Sequence, residues 1–267
     1  MGALENGLRI LSALDRGQTR LAVSDLARRL GLPKSGVSRT LRQLADAGFV
    51  ERDPDGRHYR PGYELFRLGA LYKSGELPVD LADRGVSALV ERFPATGYVA
   101  ALAGADAVIL RLREGTHPLR YVLAEGTRLP ACLTAIGKAM LSRLGPAELE
   151  TLLPPALSHP PLRYHASRGE LIAELSTYRD RGWAELKDQA FRGIDAVAVA
   201  VRPPGAPPLG MALCYLQADV AGADVPAAAV PTADVAAMVE ALRQLAREVA
   251  APAGDGYWSV SAPAGAA

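Results

Sequence analysis

Near the N terminus the apolar residues recur at helical spacing, with polar residues on the opposite arc. Leu4, Leu8, Ile10, Leu11 and Leu14 predict an amphipathic first helix, stopped by Gly17. Leu26, Ala27 and Leu30 form the inward stripe of a second helix, with Ser24 as its N-cap. Gly31 supplies the backbone freedom of a tight turn, and Pro33 stands where a first-turn proline is tolerated. In a third helix Val37, Leu41 and Leu44 share one arc, whereas Ser35, Ser38, Arg39 and Arg42 point the other way. The period then becomes that of strands. Residues 49–53 alternate, Pro54-Asp55-Gly56 signals a turn, and 57–60 return. Helix, turn, helix and basic hairpin in that order describe a winged helix-turn-helix.

Such a third helix suits a DNA major groove. Arginine can bind guanine O6 and N7 with both ends of its fork, and serine can serve base edges or phosphates. Lys34, Ser35, Ser38, Arg39 and Arg42 are the candidate contacts on the helix. On the hairpin, Arg52 and Arg57 would meet phosphates or the minor groove. The competing reading of the helix alone is an ordinary amphipathic one with a solvated polar face.

Beyond the wing, residues 63–73 again have helical spacing, and Gly75 and Pro78 end the run. This stretch reads as a connecting helix, or as a fourth core helix of the first domain. A helix over 79–93 follows. Residues 98–102 and 108–112 flank Gly104-Ala105-Asp106 as a hairpin, and 120–123 add a strand. Thr134 to Leu144 reads as a helix capped at Leu133 or Thr134, with a short turn over 149–153. Pro154-Pro155 and Pro160-Pro161 enclose a loop before a helix over 170–181 and a short strand over 183–186. Residues 196–201 and 211–216 are apolar strands, and a last helix covers 233–249. Strands in groups with helices between them predict an α+β domain with a mixed or antiparallel sheet. The expected domains are a head over 1–62, a linker helix over 63–78, a second domain over 79–251 and a disordered Ala/Gly/Pro tail over 252–267.

Charge sharpens this picture. The net charge of the chain is only +1. Up to Arg60, however, eleven Lys and Arg face seven Asp and Glu, leaving nineteen against twenty-two in the remainder. A basic head on a mildly acidic body suits a DNA reader fused to another function, and the modest surplus suggests two heads on one site. Cys132 and Cys214 have no metal-ligand spacing, so a reducing cytoplasm is the expected compartment and no metal or cofactor is implied. No apolar run is long enough to span a bilayer.

Three stretches carry a resemblance to a known family. The first is Leu30-Gly31-Leu32-Pro33-Lys34-Ser35 through Arg39 and Leu44 to Gly48-Phe49-Val50. The second runs from Gly126 to Ala139 and contains Thr134-Ala135-Ile136-Gly137-Lys138-Ala139. The third is Arg181-Gly182-Trp183-Ala184, with Gly193 and the strand 196–201 after it. On these residues the chain resembles the IclR family of bacterial transcriptional regulators over nearly its whole length. The resemblance implies an N-terminal winged helix, a linker helix and a C-terminal GAF-like domain that binds a small effector. It also implies homodimers or homotetramers on palindromic double-stranded operators. Gly36 and Ser38 stand where the family often has threonine and histidine, which concerns the bases read. In the second domain Ala196 takes the place of a frequent cysteine, and Leu186 and Gln189 replace residues that are often acidic, although Asp188 remains. A larger or less polar ligand than a small organic acid fits Leu186 and Ala196 equally well.

The ligand is expected between the helix start at Thr134, Ala135 and Gly137 and the strands carrying Asp195, Ala196, Val197 and Cys214, with Asp188 nearby. The first turn of a helix offers unpaired N–H groups, and small residues let a ligand approach the backbone. The competing reading is that these small residues serve only close packing of helix on sheet. Two rival functions stay open from the residues alone. One is a winged helix used as a protein-docking module; the other is an enzyme in which Cys132 or Asp188 is active. No Ser/His/Asp arrangement, phosphate-cradling loop or metal set supports turnover, so the reading is of a regulator and not an enzyme.

Overall fold

Leu21 and Ala22 form a two-residue strand, β1 (Leu21–Ala22), that runs directly into the helix α2 (Val23–Leu30). In the computed structural model, which describes residues 2–14, 19–73, 77–115, 122–159, 164–191, 193–216 and 232–259, β1 is preceded by α1 (Ala3–Leu11). The extended backbone of Ala22 occupies the N-cap of α2, so Ser24 sits inside the first turn and does not cap it. Gly31 closes α2 in the left-handed conformation at φ 64°, which a residue with a Cβ adopts only at a cost. Pro33 is the N-cap of α3 (Lys34–Asp46), one residue before the first-turn position. The wing is β2 (Val50–Arg52) and β3 (His58–Pro61), and α4 (Tyr63–Lys73) follows. β3 is the central strand: Tyr59 pairs with Arg52 of β2 on one side and with Leu21 of β1 on the other. Ile10, Leu21, Leu26, Val37, Leu41, Val50 and Tyr59 form the core of this head.

The stripe predicted for α1 is only partly inward. Ile10 is buried, but Leu4 and Leu8 are exposed, as are Tyr63, Phe66 and Leu71 of α4. Gly17 and Gly75 lie outside the described residues.

The chain divides into two compact units, Met1–Glu76 and Leu77–Ala267. The second begins with α5 (Leu77–Arg92), followed by β4 (Thr96–Ala103), β5 (Asp106–Arg113) and β6 (Arg128–Pro130). The strand expected over 120–123 is corrected here: Val122 and Leu123 are irregular, Arg120 and Tyr121 lie outside the described residues, and the strand is β6. A 3₁₀ turn (Ala131–Leu133) leads into α6 (Ala135–Leu141), then α7 (Pro146–Leu152). The predicted loop after Leu153 contains a hairpin, β7 (Ala156–His159) and β8 (Tyr164–Ser167), with Pro160 and Pro161 outside the described residues. Next come α8 (Arg168–Arg181), β9 (Ala184–Phe191), β10 (Ile194–Val201), β11 (Leu209–Leu216) and α9 (Thr232–Ala253).

Six strands make one antiparallel sheet in the order β6-β5-β4-β11-β10-β9. Its two faces carry separate cores. On β10, Val197, Val199 and Val201 join α5 and α9, whereas Ala198 and Ala200 face α6 and α8. On β11, Met211, Leu213 and Tyr215 take the first side, and Ala212 and Cys214 the second. Successive side chains on a strand point to opposite faces, so this repeat of small and large residues gives the sheet one bulky face and one shallow face.

Residues beyond Ala251 are not a free tail. The helix continues to Ala253, and the 3₁₀ turn Gly256–Trp258 buries Trp258. Asp255, also buried, accepts bonds from the Arg143 guanidinium at 2.7 and 2.9 Å and from the Arg202 backbone N–H at 2.7 Å. Trp258 Nε1 donates to the Ala200 carbonyl at 3.0 Å. Residues 260–267 lie outside the described residues.

Candidate nucleic-acid interface and ligand cavity

The helix α3 separates its chemistry by face. Val37 and Leu41 are fully buried, and Thr40, also inward, donates its hydroxyl to the Gly36 carbonyl at 3.0 Å. On the other face Lys34, Ser35, Arg39 and Arg42 are exposed and Ser38 is half-buried. Among the described residues, Lys34, Arg39 and Arg42 make no side-chain hydrogen bond or ion pair. Cations left with only water for partners are available to phosphates and base edges.

The wing behaves differently at its two arginines. Arg57 is exposed near the tip and its side chain has no partner among the described residues. Arg52 instead folds back, donating from Nε and Nη2 to the Gly56 carbonyl at 2.9 and 2.6 Å, so it braces the turn. His58 Nδ1 lies 2.7 Å from Asp55, and that bond draws the Asp55 carboxyl down to about 2. Buried Asp53 pairs with Arg20 at 2.8 Å. Asp53, Asp55 and His58 bring three possible ligand atoms within 4.8 Å of one another, a grouping the sequence reading did not find. Their mutual pairing and Arg20 account for them as a brace of the turn.

In the second unit α6 begins at Thr134, whose hydroxyl accepts the Gly137 N–H at 3.0 Å and caps the helix. Below it lies a cavity of about 510 Å³, counting the open solvent at its mouth. Tyr98, Ile109, Leu123, Leu129 and Ile136 form part of its wall, and Leu186, Ile194, Ala196, Ala212 and Cys214 complete the sheet side. Of the expected ligand residues, Thr134, Ala135, Ala196 and Cys214 line it. Gly137 does not: it is buried where α6 meets the 3₁₀ turn, and a Cβ there would fall 2.2 Å from the Ala131 carbonyl oxygen. Asp195 and Val197 do not either. They alternate with Ala196 on β10, with Val197 in the core on the far side of the sheet and Asp195 in register with Tyr215 of that same side. The backbone of Asp188 is in β9, and its side chain lies outside the described residues. Tyr98, Ile109, Leu123 and Leu129 were not anticipated, because nothing local in sequence joins β4, β5 and β6 to α6.

Cys214 faces the cavity, and burial pushes its thiol up to about 12. Cys132 is buried in the 3₁₀ turn and is likewise raised by burial. A thiol held protonated is a poor nucleophile. Lys138, fully buried on α6, donates to Glu174 of α8 at 2.7 Å and has a structural partner. Among the described residues no helix is long and apolar enough to cross a membrane.

Comparison with known proteins places both units. Residues 3–54 match the IclR helix-turn-helix domain, and residues 79–207 match the C-terminal domain of the bacterial transcriptional regulator IclR. The HTH-type transcriptional regulator XynR of Escherichia coli (strain K12) is 30% identical over 202 residues, covering 74% of this chain and 79% of that protein. The HTH-type transcriptional repressor AllR of the same organism is 28% identical over 200 residues, covering 74% of each. An IclR homologue from Microbacterium hydrocarbonoxydans, solved with 4-hydroxybenzoate, shares the fold at a TM-score of 0.72 and 21% identity, over 97% of this chain and 100% of that one. With both domains matched in order and such a relative over most of its length, the chain belongs to the IclR family: it is a DNA-binding transcriptional regulator, not an enzyme, with an effector-binding C-terminal domain.

Proposed function

We propose that the protein acts in the cytoplasm as a homodimeric repressor on a palindromic operator, and that a small molecule in the cavity under α6 relieves repression. The observation that carries this reading is the exposed, unpaired face of α3, where Lys34, Ser35, Arg39 and Arg42 stand over a fully buried Val37 and Leu41. Arg39 and Arg42 read base edges, Lys34, Ser35 and Ser38 hold phosphates, and Arg57 adds a contact from the wing. Arg52 holds the wing's shape rather than touching DNA. The head covers 1–62, the linker helix is α4 over 63–73, and the effector domain runs from 77 through the buried turn at Trp258. Repression is the sign of regulation carried in the name of the AllR relative.

The dimer is supported by apolar surface. Leu4 is 77% exposed, Tyr63 80% and Phe66 78%, and Leu8, Leu68 and Leu71 are exposed with them, on the two helices α1 and α4. Exposed apolar clusters of this kind mark interaction sites, and a second copy of the chain would supply the partner that two half-sites require. The effector, lined by Thr134, Ala135, Ala196 and Cys214, shifts the balance between two arrangements of the heads only by its differential affinity for them. Sedimentation velocity tests the assembly. The wild-type chain is expected to run as a dimer, and Phe66→Asp to shift it toward monomer and weaken DNA binding; a variant that stays dimeric with full affinity refutes this face.

A further inference from the structure

The residues around the cavity specify what enters it. On the sheet side, Ala196 lies in register with Leu186 of β9 and Cys214 of β11, and Ala212 with Tyr98 of β4. Val197, Val199 and Val201 of β10 and Met211, Leu213 and Tyr215 of β11 point to the opposite face, so methyl groups and a thiol form the middle of this floor. Larger side chains surround it, Ile194 at the start of β10 among them, with Tyr98, Ile109, Leu123, Ile136 and Leu186. A shallow floor with raised edges under a helix leaves a slot, and mostly apolar walls with a few placed hydroxyls are the make-up of a small-molecule site.

Among the described residues, no lining residue has a charged side chain, and the side-chain hydroxyls on the wall are those of Thr134 and Tyr98. The Tyr98 hydroxyl accepts the Leu123 N–H at 3.1 Å. Thr134 accepts from the Gly137 N–H, and a hydroxyl that accepts still has its own proton to give. A carboxylate or phosphate taken into this slot would lose its water without meeting a cation among the described residues, a large cost.

Resting on the reading of this cavity as the effector site, we propose that the effector is an uncharged, flat, largely hydrocarbon molecule of about one ring, carrying a carbonyl or similar acceptor oxygen bound by the Thr134 hydroxyl. Binding is reversible and non-covalent, since the Cys214 thiol facing the slot stays protonated. Ala196 sets the depth of the slot and so decides which molecules fit.

Isothermal titration calorimetry of the full-length chain at neutral pH tests this with three probes: acetophenone, benzoate and malonate. Acetophenone has the ring and the acceptor without charge, benzoate has the same ring with charge, and malonate has charge without a ring. Acetophenone is expected to bind at least tenfold more tightly than benzoate, with malonate silent; this ranking on the unmodified protein needs no variant. Ala196→Leu and Cys214→Leu, which fill the slot from two different strands, are each expected to weaken acetophenone at least tenfold with an unchanged circular dichroism spectrum. Tighter binding of benzoate or malonate, lost in either filled variant, would overturn the chemical class and leave the cavity as the effector site. Acetophenone binding that ignores a folded filled variant, or no acetophenone binding at millimolar concentration, would overturn the proposal; in the first case the cavity itself would be misassigned.

Discussion

Replacing Asp255 by alanine should unseat the C-terminal turn and destabilise the whole second unit. The Asp255 side chain is 5% exposed and its Arg143 partner 9%, so the pair sits out of water. The carboxylate accepts from Arg143 at 2.7 and 2.9 Å, from Arg202 N–H at 2.7 Å and from Tyr257 N–H at 3.2 Å. Burial works against the charge on Arg143, and Asp255 is the foremost group opposing that effect. Arg143 Nε already lacks a hydrogen-bond partner, so the truncated site would hold a buried cation with little compensation beyond the Tyr257 ring, 3.6 Å from its guanidinium carbon. Breaking one side of a buried pair costs about 3–5 kcal/mol. In a unit of this size that corresponds to a fall in Tm of roughly 6–20 °C. Urea denaturation followed by tryptophan fluorescence reads this unit alone, because both tryptophans, Trp183 and Trp258, belong to it. The double variant Arg143→Met with Asp255→Leu should recover much of the loss, since an apolar pair removes the stranded charge. A loss below about 1 kcal/mol for Asp255→Ala would place the pair with exposed ion pairs and refute the reasoning.

Glu148 is held down to about 2 from 4.5, chiefly by its hydrogen bond from Arg202 and secondly by the Gly145 N–H. A depressed folded value means its contribution is present above pH 4.5 and is lost as the pH falls toward 2, so Glu148→Gln should flatten that part of the Tm-against-pH curve. Parallel curves for the two proteins would contradict this. Because burial raises both thiols, neither Cys132 nor Cys214 should react quickly with a disulfide reagent at pH 8, whereas both should react in urea. Rapid labelling of the native chain would show an open, activated thiol instead.

The head was legible because its signals are local. Val37, Leu41 and Leu44 against Ser35, Arg39 and Arg42 give α3 its two faces within a few turns, and Pro54-Asp55-Gly56 marks the wing. What escaped depends on distant partners. β1 has two residues, too few to show a period, and exists because Leu21 and Ala22 meet Tyr59 and His58; Ser24 lost the capping position for the same reason. The stretch after Ala251 has the composition of a tail, yet Asp255 is fixed by Arg143, 112 positions earlier. The site was half visible. Thr134 and Ala135 announced a helix start, but alternation along β10 separates Ala196 from Asp195 and Val197, and choosing the inward set requires knowing which face α6 covers. The apolar strands 196–201 and 211–216 already carried the repeat of small and large residues that hollows the cavity; its meaning emerges only from the register between them.

The central claim is that the outward face of α3 reads DNA. Its most direct test is a fluorescence-anisotropy titration of a duplex selected by the wild-type protein from a random pool, set against an unselected duplex. Arg39→Ala should reduce the preference for the selected duplex at least tenfold, in line with about 1–3 kcal/mol for a base-contacting arginine. It should leave the stability of the head unchanged, because the exposed Arg39 side chain makes no hydrogen bond or ion pair among the described residues. A folded Arg39→Ala protein that keeps the full preference between the two duplexes would contradict the account.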